Sequence, residues 1–282
     1  MFSFEKFLLF LAIFLFLVLV VQLFLAWPFE EKIPLQVSFL DVGQGDAILI
    51  NYQNQYQILI DSGVSNKKIL SELSQAMPAQ DRFIEIVIAT HYDKDHVGGM
   101  RAVFENFKIG LFLDNGQFAE TDAITVVSDL LINKNITHQK VLENSKIEFG
   151  KDLVLNFFNP DGEERTANDN SVVARLDFAE NSFLFTGDIG FKTENDLILD
   201  GHNLDVDWLK VAHHGSKNSS GVDFLEKVIP EKAIISVGKN SYGHPAEDVL
   251  DRLRASGAEI LTTLEKGTVR INCWEERECI IN

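Results

Sequence analysis

The stretch EIVIATHYDKDHVGG, residues 85–99, joins an apolar run to four potential metal ligands, His91, Asp93, Asp95 and His96, and closes on Gly98 and Gly99. A buried strand ending here exposes its last side chains, and a tight loop beyond it lets imidazoles and carboxylates converge on one point. A lone histidine or aspartate in such a loop is ordinarily a solvated side chain. Four of them within six residues point instead to a metal site and to hydrolytic chemistry.

On either side, the apolar patterning alternates strands with helices. Residues 35–40, 47–52 and 56–60 read as strands, and residues 65–77 as a helix with Ile69, Leu70, Leu73 and Met77 at helical spacing. The second half repeats the order. GDAILINYQNQYQILIDSG (45–63) lies against NSVVARLDFAENSFLFTGD (170–188), each a hairpin ending in an aspartate beside a glycine. Residues 85–96 lie against DWLKVAHHGSKN (207–218), which sets His91 on His213. A duplicated unit of this kind predicts an α/β fold, an αββα sandwich of two mixed sheets face to face with helices outside. The loops of both halves then meet along one edge. The competing reading is that any two hairpin-plus-helix units look alike at this level.

The correspondence carries Asp188 to the neighbourhood of His91, where a carboxylate can bridge two cations, and Gly187 permits a special turn there. Strand alternation would send His213 and His214 to opposite faces, so one is expected as a ligand and the other as its orienter or as a proton donor. We assign ligation to His213 and the proton to His214. His244, before Pro245, is either a turn residue or a ligand or catalytic acid. Two cations held by His91, Asp93, Asp95, His96, Asp188 and one of the histidine pair would activate water, with Asp95 or Asp93 accepting its proton. Asp46 and Asp61, in glycine-rich turns, are expected to hold the loops from behind. Lys210, Lys217 and Lys239 lie beside these loops within reach of phosphates, although ordinary solvated lysine is the simpler reading.

Taken together, Phe39-Leu-Asp41-Val-Gly43-Gln-Gly45-Asp46, Leu59-Ile-Asp61-Ser-Gly63, the 91–99 run, Thr186-Gly-Asp188, Leu209-Lys-Val-Ala-His213-His214-Gly-Ser216 and Gly243-His244-Pro245 resemble the metallo-β-lactamase fold superfamily. Within it, the chain resembles the hydrolase domain of ComEC-type competence proteins, which handle DNA during uptake. The resemblance spans residues 37–270 and implies one or two divalent ions activating water. Its closer branch implies phosphodiester hydrolysis, of DNA or a related substrate, as by a nuclease. Asp93 stands where the widespread pattern has a histidine, which hardens the ligand set and makes manganese a competitor to zinc. No histidine occupies the region of the superfamily's next ligand. Asn168-Asp-Asn170-Ser171 lies there, and Asn170 is expected as a supporting residue.

Residues 7–27 hold no charge and only Gln22 as a polar group, which is long enough for a helix to cross a bilayer. We read residues 1–32 as a single-pass membrane anchor and linker, and 33–282 as the hydrolase domain. A cleaved signal peptide is the alternative, but its apolar core is shorter and ends in a small-residue site. The weak charge bias around the span places the domain outside the cytoplasm. The multi-span channel of the proteins resembled has no counterpart, so DNA transport is not implied. With 25 basic against 42 acidic residues, net −17, a polyanion is repelled at long range and any nucleic-acid contact must be local. Cys273 and Cys279 flank a turn; on an outward-facing hairpin they could pair, and in the cytoplasm they would be plain thiols. Competing functions on the same scaffold are hydrolysis of a lactam, thioester or cell-envelope ester, and a binding module without turnover. The sequence names no protein partner.

Overall fold

Fifteen strands build two sheets in the computed structural model, which describes residues 4–25, 34–117, 122–160 and 166–282. The first eight elements of the sheet order come from β1 (Leu35–Phe39), β2 (Ile48–Tyr52), β3 (Tyr56–Ile60), β4 (Phe83–Ile88), β5 (Lys108–Asp114) and β6 (Thr137–Lys140), completed by two strands from the end of the chain. The other sheet is made by β7 (Lys146–Phe149), β8 (Leu153–Asn159), β9 (Val173–Phe178), β10 (Asn181–Phe185), β11 (Trp208–Lys210), β12 (Lys232–Ile235) and β13 (Glu259–Thr262). With β14 (Val269–Trp274) and β15 (Arg277–Ile281), the orders are β15-β14-β1-β2-β3-β4-β5-β6 and β13-β12-β11-β10-β9-β8-β7.

The pairing recurs in the two halves. Hairpin β2–β3 is antiparallel and β4 adds to it in parallel, just as β9–β10 is antiparallel and β11 adds in parallel. Parallel neighbours require crossovers, and the chain supplies them as helices: α2 (Asn66–Ala76) between β3 and β4, and α6 (Phe191–Leu199) between β10 and β11. Helix α2 begins where Ser65 turns its hydroxyl to accept from the Lys68 amide.

Three apolar layers hold the arrangement. Phe39, Ile50, Ile60 and Ile88 of one sheet meet Phe178, Phe183, Phe185 and Trp208 of the other, with the Phe39 and Phe185 rings 6.2 Å apart. On the outer face of the first sheet, Leu49, Leu59 and Val87 pack with Ile69 and Leu73 of α2 and Phe104 of α4 (Met100–Asn106). Beyond the second sheet, Leu184, Leu209 and Ile235 pack with Phe224 of α7 (Val222–Val228) and Val249 and Leu253 of α8 (Glu247–Ala255). Strands buried on both faces read as unbroken apolar runs, which is why residues 86–89 show no alternation. Each fully buried phenylalanine or leucine stabilises the fold by about 1.5–3 kcal/mol.

The chain divides into two compact units, Met1–Lys32 and Ile33–Asn282. In the first, Phe4–Leu25 is helical (α1), and its side chains from 8 to 22 are exposed. Among the described residues no helix is long and apolar enough to cross a membrane, so the expected crossing is not found there. The end of the expected span and the linker up to residue 32 lie outside the described residues. At the far end, Cys273 and Cys279 form a disulfide across the β14–β15 hairpin.

Candidate metal centre

Parallel strands deliver their carboxyl ends to one edge, and five of them carry the site: Asp61 follows β3, His91 follows β4, Asp188 follows β10, His213 and His214 follow β11, and Ser236 follows β12. Beyond His91, Asp93 starts the single-turn helix α3 (Lys94–Val97), and its carbonyl accepts from the His96 and Val97 amides. That turn swings His96 back beneath His91, so that the two ring centroids lie 4.1 Å apart.

Two glycine-rich turns clamp this loop. The Asp46 amide donates to the Asp95 carbonyl at 3.2 Å, and the Ser62 amide and hydroxyl donate to the His96 carbonyl at 2.7 and 2.9 Å. A Cβ at residue 45 would fall 2.1 Å from the Asp95 oxygen, and its φ of +124° disfavours any side chain, so only glycine permits the approach. Gly187, at φ +51°, does the same beside Ser171.

Asp188 is central. Its Oδ2 lies 3.3 Å from His96 Nε2, 3.4 Å from His214 Nε2 and 3.9 Å from His213 Nε2. His91, His96 and Asp188 present atoms that lie within 4.8 Å of one another, as do Asp95, His96 and His214. Each imidazole is steered from behind through Nδ1. His96 Nδ1 donates to Asp61 Oδ2 at 2.8 Å, His214 Nδ1 to the Ser236 carbonyl at 2.9 Å, and His91 Nδ1 sits 3.1 Å from the Thr90 hydroxyl and 3.3 Å from that of Ser171. With Nδ1 so engaged, Nε2 carries the free lone pair. The Nε2 atoms of His91, His96 and His214 and Oδ1 of Asp188 are buried without a hydrogen-bond partner. Orphaned buried polar atoms are costly. The three imidazole nitrogens gathered about the Asp188 carboxylate fit a divalent cation, with a nitrogen and oxygen donor set suited to zinc or manganese.

The charges are ordered to match. Burial raises the Asp188 carboxyl, but His214 and His96 outweigh it and hold it well below the carboxylate range. Burial lowers His96, yet Asp188 and Asp61 lift it well above its ordinary value; His214, buried beside Asp188 and Asp46, rises to about 9. On the rim the direction reverses: burial lowers His213 and His244, and neighbouring histidine charge lowers them further. His96 and His214 are therefore held protonated until a cation replaces the protons, while the outer pair is neutral at pH 7.

The histidine pair exchanges places relative to expectation. Residues 213 and 214 are not in strand alternation but in consecutive left-handed conformations, φ +51° and +52°, at the end of β11. His214 is consequently the buried one, 3.3 Å from Asp95 Oδ2, whereas His213 is one-third exposed and 3.4 Å from the Asn168 amide. Asp93 is half-exposed, its Oδ2 3.7 Å from His91 Nε2, and the neighbouring His91 lowers its carboxyl despite burial. His244 stands at the rim, its ring 5.6 Å from that of His213. Asp61 lies behind His96, its carboxylate also accepting from the Thr90 amide and hydroxyl at 2.8 and 2.6 Å. Asp46 lies behind His214, 3.4 Å from Nδ1. Asn170 contributes backbone, its carbonyl accepting from Asn115; the side chain reaching the centre from that segment is Ser171, whose hydroxyl also accepts from the Asp188 amide at 3.1 Å.

Lys210 departs furthest from its simple reading. It is buried, with its ammonium bound to the Asp46 carboxylate, 2.9 Å from the Gly187 carbonyl and 3.6 Å from Asp188 Oδ1. Burial lowers it, but Asp46 and Asp188 raise it more, so it keeps its proton. A lysine inside Leu209-Lys-Val-Ala, on a strand covered on both faces, was the available signal. Thr90 and Ser171 carried none, because isolated hydroxyls near a strand end are commonplace. His138 and His202 stay apart, beside Asp114 and Glu143 respectively.

Known proteins fit this geometry. The chain is 30% identical over 238 residues to competence protein ComA of Neisseria gonorrhoeae, covering 83% of this chain and 32% of that protein. It is 27% identical over 255 residues to ComE operon protein 3 of Bacillus subtilis, again 83% and 32%. The chain thus spans about a third of the length of these ComEC-type relatives. Among solved structures, Igni18, a metallo hydrolase from Ignicoccus hospitalis, superposes with a TM-score of 0.55 at 15% identity, over 85% of this chain and all of that one. The metallo-β-lactamase fold protein YhfI of Bacillus subtilis gives 0.54 at 11%, over 80% and 95%. These last two likenesses are of fold. Residues 40–239 match the metallo-β-lactamase superfamily, and with the αββα sandwich and its rim of histidines and aspartates they show that the chain belongs to that superfamily.

Proposed function

We propose that this chain is a membrane-anchored, metal-dependent phosphodiesterase that cleaves DNA or a related phosphodiester. The observation that carries the reading is the convergence of three unpartnered Nε2 atoms, of His91, His96 and His214, on Asp188. The likeness to competence proteins supports a nucleic-acid substrate.

His91, His96, Asp188, His214 and Asp95 would hold two divalent ions, zinc or manganese, with Asp93 completing the outer position. Ions so held supply Lewis acidity to a phosphoryl oxygen and acidify water. The protein's own groups do the rest. Asp61, Ser236 and Ser171 fix the imidazole orientations. Asp93, half-exposed and ionised, is placed to accept a proton at Oδ2 from water entering over His91. His244, held neutral at pH 7 by burial and neighbouring histidine charge, stands at the rim, where it can hydrogen-bond substrate. The anchoring role rests on the uncharged sequence of residues 7–27, and the Cys273–Cys279 disulfide supports a domain facing an oxidising compartment outside the cytoplasm.

The test uses the full chain in detergent, stripped of metal and reloaded with Zn²⁺ or Mn²⁺, against bis-p-nitrophenyl phosphate and single-stranded DNA, with nitrocefin as the lactam control. Metal-dependent cleavage of the phosphodiesters is expected. Bound metal without any such turnover refutes the reading.

A further inference from the structure

Beside the metal centre the surface opens into a cavity of about 530 Å³ whose walls include Gln44, Lys94, Asp95, Lys239, Ser241 and Tyr242. Asp95 belongs to the centre, so the cavity adjoins it. Tyr242 is 73% exposed. An exposed tyrosine on a mobile loop would mean little, but this one is held. Asn240 Oδ1 accepts from the amides of Tyr242, Gly243 and His244 at 3.0, 3.0 and 3.1 Å, and its Nδ2 donates to the carbonyls of Gly238 and His244 at 3.0 and 2.7 Å. Five hydrogen bonds from one side chain therefore fix a loop whose apex is an aromatic ring turned to solvent.

The ring heads a file leading inward. Tyr242 lies 5.9 Å from the His244 ring, His244 lies 5.6 Å from His213, and His213 lies 6.3 Å from His214. Lys94 and Lys239, both exposed, stand on the same cavity, and neither has an ion-pair partner among the described residues. In a chain of net charge −17, two unpaired ammonium groups at the mouth of an acidic centre are a local exception. A rigid aromatic face flanked by cations is the arrangement that binds single strands, with bases on the ring and phosphates on the lysines. Paired bases in a duplex are already stacked and hidden, and cannot offer a face to the ring without being extruded.

We infer that Tyr242 is a base-stacking platform which, with Lys94 and Lys239, makes this centre select nucleic-acid strands with unpaired bases. The inference rests on the phosphodiesterase reading for its purpose, but its test does not require turnover. Fluorescence anisotropy of the full chain in detergent, with chelator present, would compare labelled oligothymidylate with an abasic strand of equal length and charge. The wild type should bind the strand with bases roughly tenfold more tightly, the effect expected of one base stacked on an aromatic ring. Tyr242→Ala should erase the difference and Tyr242→Phe should keep it, with circular dichroism showing both variants folded. Lys239→Ala should weaken both strands alike and flatten the salt dependence. Equal affinity of the wild type for both strands, no binding of either, or a base preference that survives Tyr242→Ala would overturn the inference. Failure to hydrolyse phosphodiesters is a separate result that sinks the function proposed above and leaves this binding measurement intact.

Discussion

Replacing Lys210 by methionine removes the buried ammonium of the centre while nearly preserving its volume. Lys210 and Asp46 are each 1% exposed, so the pair is screened by protein and not by water. Removing one partner of a buried pair leaves an uncompensated charge, at a cost of about 3–5 kcal/mol. His214 and His96, with Nδ1 atoms 3.4 and 3.8 Å from Asp46, soften the loss, which places it near the lower end. For a domain of this size about 3 kcal/mol corresponds to a fall in Tm of roughly 6–12 °C. Urea denaturation and calorimetry of metal-free protein would measure it. The companion Asp46→Asn, added to Lys210→Met, should recover at least half of the deficit, because the carboxylate that Lys210 had neutralised is then gone as well. The deficit of the single variant should also shrink on acidification, as Asp46 takes up a proton. A loss under about 1 kcal/mol, or a double variant worse than the sum of the singles, would refute the reading of Lys210 and Asp46 as a mutually compensating buried pair.

The inner histidines predict a pH dependence of the metal-free protein. His214 titrates at about 9 when folded against 6.5 as a free side chain, so its contribution is fully present below 6.5 and disappears as pH rises through 9. Asp188 works in the opposite sense: its lowered carboxyl stabilises the fold above the ordinary value of 3.8 and loses that effect as pH falls through its folded value. Urea midpoints in chelator should therefore decline on the alkaline side between these limits; a flat profile there would contradict the assignment. Metal binding should release protons in the same window, measurable as buffer-dependent heats in titration calorimetry. Asp61→Ala, which frees the His96 ring from behind, should weaken metal binding about 10–100-fold while leaving the fold intact by circular dichroism; unchanged affinity would remove its orienting role.

The fold and most of the rim were legible in the chain because both are local statements repeated twice. An apolar run ending in His91-Tyr-Asp93-Lys-Asp95-His96 states a strand and the loop at its end, and the hairpins 45–63 and 170–188 state the same unit again, so the sandwich and the meeting of Asp188 with His91 followed. What periodicity could not supply was conformation at single residues. His213 and His214 were read with the period of a strand, and only the packed backbone put both in left-handed turns and brought the second inward. Burial of Lys210 was equally out of reach, since a lysine's environment depends on which carboxylates fold over it, and Asp46 and Asp188 are distant in sequence. Ser171 and Thr90 entered for the same reason: a hydroxyl acquires a role only when a ring nitrogen from elsewhere in the chain arrives within hydrogen-bonding distance. Side-chain pattern is written along the chain, whereas the partner of a buried polar atom is chosen by contacts that exist only once the two sheets close on each other.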